Sequence, residues 1–188
     1  MGQCNVAHDS TLLIQMIVAS LLASVAFRLG NQGVLIGSML ISPIGGMVLR
    51  VAMGDTNSAR GLVHMWIPFA IGFLSGMTTL DEPPNNLLEN SGIHVMQNPQ
   101  SLLDSLVVST MCGVLFPVLK QIPEVGIDIA TQILPPLVAC GVSVARAVMG
   151  KESWYSACGC LILFVTYITG LFVSTKVTTA LICNHTGK

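Results

Sequence analysis

The feature that most constrains this chain is a series of six apolar runs, each as long as a helix that crosses a bilayer. The runs cover residues 10–29, 32–53, 58–78, 101–119, 125–149 and 153–175. A transmembrane helix needs about 20 mostly apolar residues. Only 9% of the 188 residues are charged, whereas soluble domains carry about 25%. The sequence therefore predicts an all-α integral membrane protein with six transmembrane helices in contact with the lipid bilayer.

The second run is unusual because it holds a Ser-Pro pair and four glycines. Residues 33–46 read Gly-Val-Leu-Ile-Gly-Ser-Met-Leu-Ile-Ser-Pro-Ile-Gly-Gly, and a weaker copy at 126–137 reads Gly-Ile-Asp-Ile-Ala-Thr-Gln-Ile-Leu-Pro-Pro-Leu. A proline inside a helix removes a hydrogen-bond donor and clashes with the preceding turn. We therefore expect helices 2 and 5 to be broken or kinked, at Ser42-Pro43 and at Pro135-Pro136.

The likeness between the two halves extends beyond these motifs. Residues 50–55 resemble residues 146–151, and Gly72 matches Gly170. Each half holds three predicted spans, an odd number, so the second half enters the membrane from the opposite side and the halves form inverted-topology repeats. The predicted organisation is an N-terminal segment at 1–9, a first repeat at 10–79, a polar connector at 80–100, a second repeat at 101–175 and a tail at 176–188.

Basic residues near the span ends predict the orientation, because cytoplasmic loops are enriched in Lys and Arg. Three lie on the side away from the N-terminus, namely Arg28, Arg146 and Lys151. Five lie on the side of the N-terminus, namely Arg50, Arg60, Lys120, Lys176 and Lys188. This bias favours cytoplasmic N- and C-termini, with the connector outside.

The two proline motifs also resemble a known family. Residues 33–46 are similar to the "VIGAMLIAPLMGP" segment of domain-of-unknown-function family 389, and residues 133–142 are similar to its "LVPPLAAAG" segment. Leu102-Leu103-Asp104 resembles its "NLLDL" entry into the fourth span. The resemblance covers residues 10–177 and implies a multi-span membrane protein, without implying a substrate. Asp128 departs from the small apolar residue usual in that family.

The helix interruptions predict a binding site. Ser is a favoured N-cap and Pro is favoured at the first helical position, so Ser42-Pro43 is suited to starting a half-helix within the membrane. The N-termini of half-helices expose unpaired N–H groups and a positive dipole end, and two of them near the midplane suit an ion or solute. The predicted site residues are Gly37, Ser38, Ser42, Pro43, Gly45, Thr131, Gln132, Pro135 and Pro136.

Four charged residues near span ends are candidates for gating or ion coupling, because ionisable residues in spans are commonly functional. They are Asp104, Asp128, Arg50 and Arg146. The alternative for each of them is a solvated or snorkelling position at the membrane interface.

The sequence therefore predicts a transporter or channel for a small ion or solute. An anion is favoured because residues 37–46 and 131–141 contain no carboxylate, and a dehydrated cation usually needs carboxylates or a ring of carbonyls. Asp128 and the acidic connector favour a cation instead. The alternative function is a non-transporting membrane scaffold, sensor or lipid-binding module, in which kinked helices pack through Gly and Ser without a ligand.

Other functions have no sequence support. There is no Ser-His-Asp context for catalysis and no metal-ligand spacing such as His-Glu-x-x-His, so we expect no enzyme, cofactor, metal or nucleic-acid partner. The six cysteines are interpreted as small buried hydrophobes. A homo-oligomer is expected, because Gly159 and Gly170 offer faces for close helix packing. Acylation of Gly2 and Cys4 is disfavoured, because residue 6 is Val where the myristoylation motif requires Ser or Thr.

Overall fold

The computed structural model describes residues 3–78, 99–119 and 133–186, and all regular structure within these ranges is helical. The helices are α1 (Gln3–Leu29), α2 (Gln32–Ile41), α3 (Ile44–Ala52), α4 (Thr56–Leu62), α5 (Trp66–Thr78), α6 (Pro99–Leu119), α7 (Leu134–Val148) and α8 (Trp154–Thr186), with a 3₁₀ turn at Val63–Met65. The prediction of an all-α chain is confirmed for these residues.

Several of these helices have the length and composition of membrane spans. Three are long and apolar enough to cross a bilayer, over Ser10–Leu29, Gln100–Val118 and Trp154–Asn184. Helices α2 and α3 add a fourth if the bent pair is one span. The apolar helices Val63–Thr78 and Leu134–Val148 are shorter and fall in the third and fifth predicted runs. An integral membrane protein with three to four candidate spans is therefore supported, and six spans stay a prediction.

Two helices are longer than the predicted spans. Helix α1 starts at Gln3, within the predicted N-terminal segment, and α8 ends at Thr186, within the predicted tail. Residues 3–9 and 176–186 contain neither Pro nor Gly, the two residues that most disfavour a helix. The helices therefore continue through both segments.

The predicted interruption at Ser42-Pro43 is present. Helix α2 ends at Ile41, α3 begins at Ile44, and the two helices are bent by 42°. Ser42 has an extended backbone (φ −66°, ψ 129°), as expected for a residue before proline. Its Oγ accepts a hydrogen bond from the N–H of Ile44 at 3.4 Å. The N-cap residue of α3 is Pro43, which makes no side-chain cap hydrogen bond, so the prediction of Ser42 as the N-cap and Pro43 as the first helical residue is wrong by one position.

The second proline motif also starts a helix. Helix α7 begins at Leu134 and carries Pro135 and Pro136 in its first turn, where the absence of an N–H disturbs no intrahelical hydrogen bond. The preceding half of the predicted fifth span, at 125–132, lies outside the described residues.

Helices α6 and α8 pack side by side and run parallel. Ser109 lies against Gly170, and Gly113 lies against Ser174 one turn further along both helices. A Cβ atom added at either glycine would overlap a serine hydroxyl oxygen. Small residues four apart on both helices therefore set the close approach, as in many membrane helix pairs.

Helices α5 and α7 form a second parallel pair. Gly72 lies against the backbone of Val138, and Gly76 lies against Val142 and Ala145. The matched glycines of the two halves thus have different partners, because Gly72 contacts α7 whereas Gly170 contacts α6. The halves share a sequence pattern but not this packing arrangement.

Helices that are neighbours in the chain fold back on one another. Ser143 of α7 and Ser156 of α8 are joined by a 3.1 Å hydrogen bond, and Gly61 of α4 lies against the Met47 side chain of α3. Together with the parallel pairs and the continuation of α4 into α5, these contacts give one direction to α4, α5 and α7. The opposite direction belongs to α2, α3, α6 and α8.

The ends of α3 and α7 share one turn geometry. The N–H groups of residues 55 and 151 donate to the carbonyls of Arg50 and Arg146, both at 2.9 Å. Each turn contains a glycine in the left-handed region, Gly54 at φ 101° and Gly150 at φ 71°. This is the Schellman arrangement that commonly ends helices, so the sequence match between 50–55 and 146–151 corresponds to a common local structure.

Candidate functional site

The start of α3 lies inside the protein. Ser42 is only 5% exposed, Ile44 is fully buried, and Gly45 and Gly46 are buried after them. The first N–H groups of a helix carry partial positive charge. The break at Ser42-Pro43 therefore places a positive helix end within an apolar interior.

The polar groups of α2 near the break are occupied locally. Ser38 is fully buried, and its hydroxyl donates to the Leu35 carbonyl of its own helix at 2.6 Å. Gly37 is half-buried, and a Cβ atom added there would meet nothing within 4 Å. In this conformation Ser38 points its donor at its own helix, and Gly37 is not needed for a close approach.

The start of α7 is also buried but is a weaker anion site. Leu134, Pro135 and Pro136 are all buried. Because proline has no backbone N–H, two positions of the first turn of α7 present no donor. The start of α3 therefore offers more N–H groups to a ligand than the start of α7.

The two helix starts belong to one core. Ile44, the first residue of α3, and Ile133 and Leu134 at the start of α7 are members of the same buried hydrophobic cluster. The same cluster also includes residues of α1 and α8, so it places both helix starts in the core of the protein without placing Ser42-Pro43 against Pro135-Pro136. Thr131, Gln132 and Asp128, the remaining polar groups predicted for this region, lie outside the described residues.

Arg146 forms an ion pair that the sequence reasoning missed. Its Nε lies 3.3 Å from Oε2 of Glu152, and the two side chains are only 6% and 9% exposed. Glu152 follows the Gly150 turn, which folds α8 back onto α7. A carboxylate six residues after an arginine, across a glycine turn, is the sequence signal that could have identified the pair.

The other charged candidates lie at the ends of the bundle. Arg50 is half-buried at the end of α3, and Asp104 is exposed near the start of α6. Since α3 and α7 run in opposite directions, Arg50 and Arg146 lie at opposite ends. The structure therefore does not bring these arginines together.

Two further polar contacts connect α7 to α8. Ser143 and Ser156 are fully buried and bond each other, and the Cys140 thiol donates to the Ala157 carbonyl at 3.6 Å. Hydroxyl bonds between helices stabilise membrane bundles modestly. These residues stabilise the hairpin, and nothing in their spacing distinguishes them in the sequence from other small residues.

The cysteines divide into two groups. Cys140 and Cys160 are buried, as predicted, whereas Cys158 and Cys183 are exposed because they lie on the outward face of α8. Within residues 3–78, 99–119 and 133–186, no group of three or more His, Cys, Asp or Glu side chains is placed to hold a metal ion.

Comparison with known proteins gives no match: no protein-family model, no curated protein and no solved structure matches this chain. The assignment to family 389 therefore rests on the two proline motifs and the Leu102-Leu103-Asp104 segment, and it stays a proposal.

Proposed function

We propose that this protein is a membrane transporter or channel for a small ion or solute, with its site at the interrupted helices. The observation that carries the proposal is the buried start of α3, where Ser42-Pro43 bends an apolar helix pair by 42°. Irregular backbone at membrane depth is tolerated where protein buries it or water reaches it, and such breaks hold the substrate sites of many transporters.

The helix directions support the full architecture that we propose, which has six spans in two inverted repeats. Six successive crossings require odd-numbered spans to point one way and even-numbered spans the other. Helices α5 and α7 correspond to the third and fifth predicted runs, and α6 and α8 correspond to the fourth and sixth. Because the helices of each pair are parallel, both pairs satisfy this requirement. Both termini would then lie on one side, which the Lys and Arg distribution makes the cytoplasm. Membership of family 389 and a homo-oligomeric state belong to the same proposal. Gly159 and Gly170, the glycines expected at the oligomer interface, are buried within this chain, so an oligomer would use other surfaces.

We propose an anion as the transported species. The first N–H groups of α3 belong to Ile44, Gly45 and Gly46, and no carboxylate lies among residues 37–46. A helix start of this kind stabilises negative charge. Asp128 would oppose an anion if its carboxylate lines the same path.

One observation favours the second candidate function, a non-transporting scaffold, sensor or lipid-binding module. Ser38, Ser42, Pro135 and Pro136 are all buried, so these residues are packed against protein as a purely structural kink requires. In a transporter, the same packing represents a closed conformation that must open to admit the solute.

Flux into proteoliposomes distinguishes the two functions. We expect uptake of a small anion from a panel of anions, cations and neutral solutes. We expect reduced uptake by Ser42→Ala, because the variant loses the hydrogen bond from the Ile44 N–H at the start of α3, which is worth about 1 kcal/mol. The matched control is Ser58→Ala, whose hydroxyl bonds Asp55 at 2.7 Å outside the site.

Two outcomes would contradict this proposal. Absence of flux for every solute would favour the scaffold, provided that a thermal unfolding transition shows the protein to be folded. Currents whose reversal potential follows the cation gradient, and which vanish in Asp128→Asn, would show that the transported charge is positive.

A further inference from the structure

A cavity lies at the end of the bundle where α3, α6 and α8 terminate. Its volume is about 350 Å³, and it is lined by Met53, Phe116, Pro117, Thr179, Ile182 and Cys183. This size is at the lower end of the range for small-molecule sites, roughly 300–1,000 Å³. None of the lining residues belongs to the site at the helix interruptions.

The wall of this cavity holds one buried hydroxyl without a hydrogen bond. Oγ1 of Thr179 is buried and has no partner among the described residues. Elsewhere on α8, the hydroxyls of Thr166 and Thr175 donate to the carbonyl of the preceding turn, at 2.8 and 2.7 Å. A buried unpaired hydroxyl is destabilising. Rotation of the Thr179 side chain toward the cavity would bring this donor within reach of a ligand oxygen.

Water is a poor occupant of this cavity. A buried water needs two to four polar partners, and the described lining offers only the Thr179 hydroxyl and the weakly polar Cys183 thiol. A hydrocarbon chain that ends in an ester fits both features, because the chain covers the apolar walls and the ester oxygen accepts from the hydroxyl.

The cavity lies at the depth of a span end. Ser109 pairs with Gly170 and Gly113 pairs with Ser174, and the same spacing places Thr179 level with Val118. Lys176, one turn before Thr179 on α8, is exposed, and a lysine near the end of a span places its charge among the headgroups. Thr179 is thus level with the boundary between hydrocarbon and headgroups, where the esters of phospholipids lie.

The mouth of the cavity opens onto the surface that faces lipid. Met53 and Cys183 at the mouth are exposed, as are the apolar neighbours Val118 and Leu181. The cavity is therefore continuous with the apolar outer surface of the candidate spans. We propose that it binds one acyl chain of a bilayer phospholipid, whose ester oxygen accepts a hydrogen bond from Thr179 Oγ1.

Photolabelling in nanodiscs tests this proposal. The probe is a phosphatidylcholine with a diazirine in one acyl chain, and mass spectrometry maps the labelled peptides. We expect label concentrated at Phe116–Pro117 and at residues 179–183. Thr179→Val removes the hydroxyl and keeps the shape of the side chain. It is expected to lower this label about fivefold, because it removes one hydrogen bond to the lipid.

A pair of tryptophan variants provides the matched comparison. Met53→Trp narrows the mouth and is expected to reduce the label to the level of bulk lipid. Met149→Trp is the control, because Met149 holds the same position in the α7 turn and is similarly exposed, 43% against 41%, but does not line the cavity.

Three results would overturn the proposal. One is label spread evenly along the outward residues of α6, such as Leu103, Val107 and Met111. Another is concentrated label that neither Thr179→Val nor Met53→Trp reduces. The third is label from a diazirine fatty acid with none from the phospholipid, which would assign the cavity to a different amphiphile. If Met53→Trp does not fold, the label measured in Thr179→Val still decides the test.

Discussion

Among individual residues, Arg146 and Glu152 stand out because both charges are buried at the hairpin between α7 and α8. The desolvation of such a pair often offsets its attraction, so the pair is a poor source of stability. Removing one member leaves an uncompensated buried charge, which is strongly destabilising. The pair therefore acts mainly as a constraint on how the hairpin closes.

We expect Glu152→Gln to lower the free energy of unfolding by about 3 kcal/mol, because it leaves Arg146 buried without its carboxylate. The double variant Arg146→Met with Glu152→Leu should recover most of this loss. Arg50→Gln is the control, since Arg50 holds the same position in the α3 turn and is half-buried. Tryptophan fluorescence during thermal unfolding in detergent gives the values. Equal losses for Glu152→Gln and Arg50→Gln would refute the role of the pair.

The sequence identified Arg146 as a candidate functional residue but did not identify Glu152. An arginine within an apolar run is visible because its charge is rare there. The spacing of Glu152 from Arg146 across the glycine turn indicates a pair, but the burial of that pair depends on the packing of α8 against α7. Likewise, the break between α2 and α3 was predictable from the Ser-Pro pair alone, whereas the local hydrogen bond of Ser38 depends on its rotamer.

Among the helices, an interruption at a proline was predictable only where the proline lies inside a run that is otherwise uniformly apolar. The break at Ser42-Pro43 is an example. The 3₁₀ turn at Val63–Met65 was not predicted, although Pro68 explains it. In a regular α-helix, the ring of Pro68 would clash with the carbonyl four residues earlier, and Pro68 has no N–H to donate to that carbonyl. The carbonyl belongs to His64, at the centre of the turn.

The close crossing of α5 and α7 makes a prediction about glycine. We expect Gly72→Ala to destabilise the protein by about 1–3 kcal/mol, because the new methyl group would overlap the Val138 backbone, which cannot move aside. Gly37→Ala should instead stabilise it by up to about 1 kcal/mol, since α2 has open space there. Thermal unfolding measures both. Indifference to Gly72→Ala would mean that the two helices are further apart than described.

For the molecule as a whole, the directions of the helices predict which side of the membrane each turn faces. Residues 55 and 151 hold equivalent positions after Gly54 and Gly150 but terminate helices that run in opposite directions. In a background without the six native cysteines, Asp55→Cys should react with an impermeant maleimide from the side of the C-terminus. Lys151→Cys should react only from the other side. Reaction of both from one side would exclude the inverted arrangement.

The all-helical architecture was predictable from the apolar runs, but the way in which the halves pack was not. Run length and proline position are properties of single helices and can be read along the chain. The different partners of Gly72 and Gly170 arise from the fit of side chains between distant segments. The sequence likeness of the two halves therefore corresponds to the common turns after Arg50 and Arg146. It does not extend to the helices that Gly72 and Gly170 contact, which differ.

The pairing of α6 with α8 has a consequence for the order of synthesis. Helix α6 packs chiefly on α8, whose contacts with Ser109 and Gly113 begin at Gly170. A ribosome must therefore translate more than fifty further residues before α6 meets its partner. During that interval the small-residue face of α6 is without its partner, so biogenesis of this protein includes a stage in which α6 has been translated and its contacts with α8 have not yet formed.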